Sequence, residues 1–243
     1  MSKKNRIRLY VDTPLKEGVC YKATDNQAHY LKNVMRLNIG DEVFLFDGQN
    51  GEFFASVLEI SKKELVLSVQ RKVFDFEKSP DIWLLFAPLK KENTDFVIQK
   101  AVELGASKIV AVKTDYTNVS ALKEERIKTQ IVEAAEQCRR QDVPTFQNVT
   151  DFEKIIEAWP EGRKLIYLNE TGDGQTFWAA AKKMLSPAAL LIGPEGGFSK
   201  KELEILKKLP YSVNVSLPKR ILRAETAALT ALACWQAFCG DWK

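Results

Sequence analysis

From Ile82 onward, strand-length apolar runs alternate with longer amphipathic ones, and this alternation constrains the fold more than any other feature. Ile82–Ala87, Lys108–Val112, Leu165–Leu168, Ala188–Ile192 and Val213–Val215 have the length and composition of strands. Between them, Thr94–Leu104, Glu124–Gln141, Thr176–Leu185, Ser199–Leu209 and Glu225–Phe238 have helical spacing. Gly105 supplies a C-cap, Pro144 a stop, and Ser199 with Glu202 a capping box. Strands that alternate with helices in this way build an α/β domain around a mainly parallel sheet.

The pattern differs ahead of residue 75. Val43–Phe46 and Glu52–Val57 flank the turn residues Asp47-Gly48 and Asn50-Gly51, which predicts a hairpin, and Lys63–Val69 predicts a further strand. One helix fits Asp25–Arg36, ending before Gly40. The expectation is a small β-barrel over residues 1–74 and an α/β domain over residues 75–243, joined by a linker at Phe76–Pro80. A chain of 243 residues with 45% hydrophobic content has room for both cores. Its net charge of +4 does not separate nucleic-acid binders from other enzymes. No apolar run reaches the roughly 18 residues of a membrane span. The basic start Met1–Arg6 is not followed by an apolar segment, so the expected location is cytoplasmic. Four cysteines without a C-x-x-C pair and a single histidine, His29, leave no basis for a metal site.

Five segments have the residue types of a working site. In Leu190–Ser199 a buried strand runs into a loop with three glycines within five residues, followed by a capped helix. Such a loop lies at the carboxyl end of a strand, where open α/β sheets bind ligands. It fits neither phosphate-binding glycine pattern, and a plain structural turn stays open. In Leu217–Ala227, Arg223 stands at a helix start, where the macrodipole disfavours a cation. It suits a phosphate or a carbonyl oxygen gaining charge, with pairing to Glu225 as the alternative. Lys90–Gly105 and Glu133–Arg140 set polar groups along helices, where Glu136 and Arg140 at i,i+4 also suit a solvated face. Arg6, Arg8 and His29–Arg36 interleave basic and aromatic residues, as RNA contact would. The last helix is apolar nearly all round, which calls for burial on more than one side.

Ile192–Ser199 with Glu202, followed by Ile221–Ala227, resembles the RsmE family, 16S ribosomal RNA uracil-N3 methyltransferases of the SPOUT superfamily. Gln99–Gly105, Glu133–Arg139 and His29–Arg36 with Gly40-Asp41 match in kind and order, so the resemblance spans nearly the whole chain. It implies a PUA-like N-terminal β-barrel and a C-terminal α/β domain with a trefoil knot, S-adenosyl-L-methionine (SAM) as cofactor, ribosomal RNA as partner, and a homodimer. Carried onto this chain, it implies cofactor contacts from Leu168, Ile192, Gly193, Gly197, Leu217, Ile221 and Leu222. Arg223 is the expected stabiliser of uracil carbonyl charge, with Glu195 or Glu225 as proton acceptor. Arg8, Arg36, Lys100 and Arg139 are the expected RNA contacts. Leu217-Pro218 replaces the Leu-Gly usual in the family, which puts any backbone N–H contact at 218 in question. The alternatives are a non-catalytic RNA-binding or ribosome assembly factor, and a SPOUT enzyme acting on tRNA or on a ribose 2′-OH.

Overall fold

The computed structural model describes residues 7–62, 64–169, 172–181, 187–217 and 220–242. The expected features at Arg6, Lys63 and Pro218, and residues 182–185 of the predicted third α/β helix, lie outside these residues. The chain forms two compact units, residues 1–78 with 135–142, and residues 79–134 with 143–243. The boundary falls after Lys78 rather than after residue 74, and a short later segment belongs to the first unit.

The first unit holds a five-stranded sheet in the order β1-β3-β4-β5-β2, built from β1 (Arg8–Tyr10), β2 (Cys20–Lys22), β3 (Glu42–Phe46), β4 (Glu52–Ile60) and β5 (Leu65–Phe74). The predicted hairpin is β3–β4, paired from Glu42↔Ser56 to Phe46↔Glu52. Three register shifts along β4–β5 mark bulges, which bend a sheet and allow it to curl. One face buries Leu9, Val11, Val43, Leu45, Phe53, Ala55, Val57, Leu65 and Leu67. Helix α1 (Asp25–His29), capped by Thr24 and Gln27, continues as a π-helical turn through Val34 and adds Leu31 to this core.

Arg8 shows why residues 135–142 join this unit. Its side chain donates to Glu52 Oε2 at 2.8 Å, to the Ala135 carbonyl at 2.9 Å and to the Arg140 carbonyl at 2.7 Å. The guanidinium also lies 3.8 Å from the Phe46 ring centroid. At 6% exposure, Arg8 is an internal clasp, and its expected role as an RNA contact is corrected on that ground. Tyr10 adds a backbone N–H donated to Glu136 Oε1.

The second unit is a seven-stranded, all-parallel sheet in the order β10-β12-β9-β11-β6-β7-β8. Its strands are β6 (Ile82–Phe86), β7 (Lys108–Lys113), β8 (Thr145–Asp151), β9 (Lys164–Leu168), β10 (Gln175–Thr176), β11 (Ala188–Ile192) and β12 (Ser212–Ser216). Every residue of β11 is buried, as a central parallel strand covered on both faces requires. The helices are α2 (Lys91–Glu103), α3 (Glu124–Cys138, which enters the first unit at Ala135), α4 (Phe152–Glu157), α5 (Phe177–Ala181), α6 (Lys200–Lys208) and α7 (Ala224–Phe238).

Two helix ends depart from the sequence reading. Helix α2 starts at Lys91, because the Thr94 hydroxyl is bonded to the Leu89 backbone and does not cap the helix. Helix α3 stops at Cys138, because Arg139 adopts φ +65°.

Chain order and strand order depart from each other beside β9, where β11 enters between β9 and β6, and β12 enters between β10 and β9. The carboxyl ends of β12, β9 and β11 therefore stand side by side, and a strand-order reversal of this kind is where open α/β sheets bind ligands.

Candidate cofactor site

The loops leaving those three ends enclose a cavity of about 330 Å³. After β9 the wall is Leu168, Asn169 and Gly172; after β11 it is Ile192–Glu195, Gly197 and Phe198. After β12 come Leu217 and Arg220–Ala224, with Ala227 one turn further along α7. The wall is mostly apolar with a few polar groups, in the size range of small-molecule sites. The predicted cofactor contacts Leu168, Ile192, Gly193, Gly197, Leu217, Ile221 and Leu222 all lie on it, although they come from three separate stretches of chain.

The glycine-rich loop folds tightly on itself. Gly197 takes φ +70° and donates its N–H to the Pro194 carbonyl at 2.9 Å, a conformation that strains any residue with a Cβ. A Cβ at Gly193 would sit 3.3 Å from both the Gly197 carbonyl carbon and Phe198 Cζ, so a side chain there would press into the loop.

Glu202 anchors the loop exit. Only 2% exposed, it accepts the Ser199 N–H through Oε2 and the Asp115 N–H through Oε1, while Ser199 Oγ accepts the Glu202 N–H. One carboxylate thus closes the predicted capping box and ties in the turn that follows β7.

Arg223 is the N-cap residue of α7 and makes no side-chain cap bond. It is exposed, lines the cavity, and forms no ion pair with Glu225 among the described residues. Glu195 is exposed on the same wall. Glu225 does not line the cavity, and its Oε2 is buried without a hydrogen-bond partner among the described residues. The structure therefore brings Arg223 and Glu195 together with the cofactor candidates and leaves Glu225 aside.

Asn169 is a wall residue outside the segments singled out in the sequence, while Phe198 and Arg220 lie inside them without being among the expected contacts. Asn169 is buried and donates to Asp173, which also accepts from Asn214 at 2.9 Å. Its signal was available: it is the first polar residue beyond a predicted buried strand. Near the carboxyl end of the same strand, the Tyr167 phenol is pushed up by burial and further by the Asp173 charge.

The remaining RNA candidates do not line the cavity. Lys100 pairs with Glu103 on its own helix at 2.7 Å. Arg36 and Arg139 are exposed in the first unit.

Residues 77–236 match the model of an RNA methyltransferase domain, and residues 23–70 match that of an RNA methyltransferase PUA domain. The chain is also 31% identical over 252 residues to the ribosomal RNA small subunit methyltransferase E of Buchnera aphidicola subsp. Schizaphis graminum, covering 98% of this chain and 99% of the relative. The chain belongs to the ribosomal RNA small subunit methyltransferase E family. Another member, from Rickettsia conorii, is 30% identical and covers 93% of each chain. The Neisseria gonorrhoeae methyltransferase E, solved bound to S-adenosyl methionine, aligns with a TM-score of 0.90 at 26% identity over 98% of this chain and all of that one. A Legionella pneumophila protein solved with bound SAM aligns with a TM-score of 0.88 at 31% identity over 98% and 99% of the two chains. The α/β second unit and the curled sheet of the first are the two folds that family membership calls for.

Proposed function

We propose that this chain methylates N3 of a uridine in small-subunit (16S) ribosomal RNA, with SAM held in the cavity at the carboxyl ends of β9, β11 and β12. The observation that carries the proposal is the convergence of the glycine-rich loop and the Arg223 loop on one apolar cavity. The wall fits the cofactor: apolar side chains and the tightly folded Gly193–Gly197 loop suit a flat base and its ribose, and Asn169, Glu195, Arg220 and Arg223 add polar groups. When bound, SAM supplies an activated methyl group, so the protein's task is alignment and charge stabilisation.

The glycine loop and the backbones at Leu168, Leu217 and Leu222 would surround the adenosine. N3 of uracil must lose its proton before it can attack, and the exposed Glu195 is the candidate acceptor on the wall. As charge spreads onto the uracil carbonyls, Arg223 would stabilise it, aided by the first turn of α7. The RNA grip is assigned to Arg36, Lys100 and Arg139. The trefoil knot is supported by the interleaving of β9, β11 and β12. A homodimer is supported by α7, whose Leu229 and Ala233 stay half-buried while Phe238 is exposed beside the exposed Trp178. Sedimentation velocity tests it: twice the chain mass is expected, and a monomer at micromolar concentration would refute it. A cytoplasmic site of action follows from a ribosomal substrate, and no helix among the described residues is long and apolar enough to cross a membrane.

Mass spectrometry of nucleosides from 16S RNA incubated with the protein and SAM tests the reaction. The expected product is 3-methyluridine. A ribose-methylated nucleoside, or methylation of tRNA alone, would transfer the case to the alternative enzymes; no methyl transfer alongside tight RNA binding would favour an assembly factor.

A further inference from the structure

The turn after β7, Thr114–Thr117, is held against the glycine-rich loop by bonds that leave one ring in solvent. Thr117 donates its N–H to the Thr114 carbonyl at 3.0 Å, Thr114 returns its own N–H to Thr117 Oγ1 at 3.0 Å, and the two hydroxyls lie 2.7 Å apart. The Asp115 N–H goes to Glu202 at 2.9 Å, the same buried carboxylate that fixes the exit of the glycine-rich loop. The residue this turn presents is Tyr116, which is 53% exposed.

The ring is not isolated from the site. A methyl group at Gly196 would meet Tyr116 Cβ and Cδ2 at 3.5 Å and Cγ at 3.6 Å, so the base of the ring lies against the loop where that loop has no side chain. Neighbours of Gly196 on both sides, Glu195 and Gly197, line the cavity. Ile221 on the arginine loop, also on the wall, is 82% exposed. A single exposed aromatic is ordinary on a protein surface. An exposed aromatic on a turn with this many fixings, beside a ligand cavity, has a ready use. It offers a planar, pre-ordered surface with few torsions to lose, and single-stranded RNA presents unstacked bases that pair with such surfaces.

We propose that Tyr116 is a stacking platform for an RNA base at the edge of the cofactor cavity, holding the strand so that the target uridine enters beside Arg223. This rests on the RNA methyl transfer proposed above and names a positioning residue for it. The Tyr116 ring acts on RNA binding and leaves the cofactor wall untouched.

The test is Tyr116→Ala and Tyr116→Phe in the full-length protein. It reads kcat and KM for 16S RNA, RNA affinity by fluorescence anisotropy, and SAM affinity by calorimetry. Loss of one base–aromatic stack raises KM and the RNA Kd by roughly 5- to 150-fold. In Tyr116→Ala that rise is expected with SAM affinity within about twofold of wild type, and Tyr116→Phe is expected to restore most of the RNA affinity. Wild-type RNA affinity in Tyr116→Ala would overturn the proposal. So would a Phe variant as weak as Ala, or a matching loss of SAM affinity, which would make the ring a support for the loop. Failure of the wild-type protein to methylate or bind RNA would strike the underlying reading instead, and that control separates the two.

Discussion

Arg223 is the residue at which stability and function conflict most openly. An N-cap position favours Ser, Thr, Asp or Asn, and the helix macrodipole repels a cation there. Arg223→Ser is therefore expected to stabilise the fold by about 0.5–1 kcal/mol while reducing methyl transfer by roughly a hundredfold or more. Thermal denaturation and a tritiated-methyl assay check the two halves, with SAM affinity retained. Arg36 and Arg139 show the same conflict in the backbone. They are the two described non-glycine residues at positive φ, 54° and 65°. An L-residue pays about 1 kcal/mol in that region, which glycine would spare. Arg36→Gly and Arg139→Gly are each expected to hold or raise the melting temperature and to weaken RNA binding severalfold; unchanged binding would remove them as contacts. Asp47 is a residue of the opposite kind, serving the fold alone. Burial pushes its carboxyl up, but donations from Asn50 and from the backbone N–H groups of Leu15, Gln49 and Asn50 outweigh burial and hold it below the usual range. A folded value below the unfolded value of about 3.9 stabilises fully above that pH and is lost as pH falls through the lower folded value. Asp47→Asn should flatten the fall of stability with pH below about 4, read from urea midpoints across that range.

At the scale of elements, the site depends on three loops that one buried carboxylate and one tight glycine turn keep in register. Glu202→Ala removes both anchors, which should cost about 1–3 kcal/mol and weaken SAM binding through loosening of the loop, measurable by chemical denaturation and calorimetry. Of the strands that carry the site, β9 and β11 were legible because their central residues are buried and read as plain apolar runs. The capped helix α6 was legible from Ser199 and Glu202. The edge strand β8 and the short α4 were not. After the exposed Thr145, every residue of β8 is half-buried, so no alternation marks it, and α4 is too short for a helical period to emerge. Arg8 was misread for a related reason. A basic residue beside aromatics suggests RNA, and only the fold reveals Glu52 and two distant carbonyls around it.

In the whole molecule, the informative fact is that the cavity wall is assembled from residues about 25 and 55 positions apart in sequence, brought together by the order in which strands enter one sheet. Spacing alone could not join Leu168, Gly193 and Leu222; the family resemblance did, and the sheet order supplies the physical reason. Tyr116 remained hidden because it lies on a polar turn with no motif of its own. The central claim is that this cavity is where SAM binds. Calorimetric titration of SAM into the wild-type protein and into Ala227→Leu, which places a larger side chain on the cavity wall without altering a loop, tests it directly. The account predicts one site per chain in the wild type, and an affinity at least tenfold weaker in a variant with an unchanged melting temperature. Equal affinity in the two proteins, or no binding to the wild type, would contradict it.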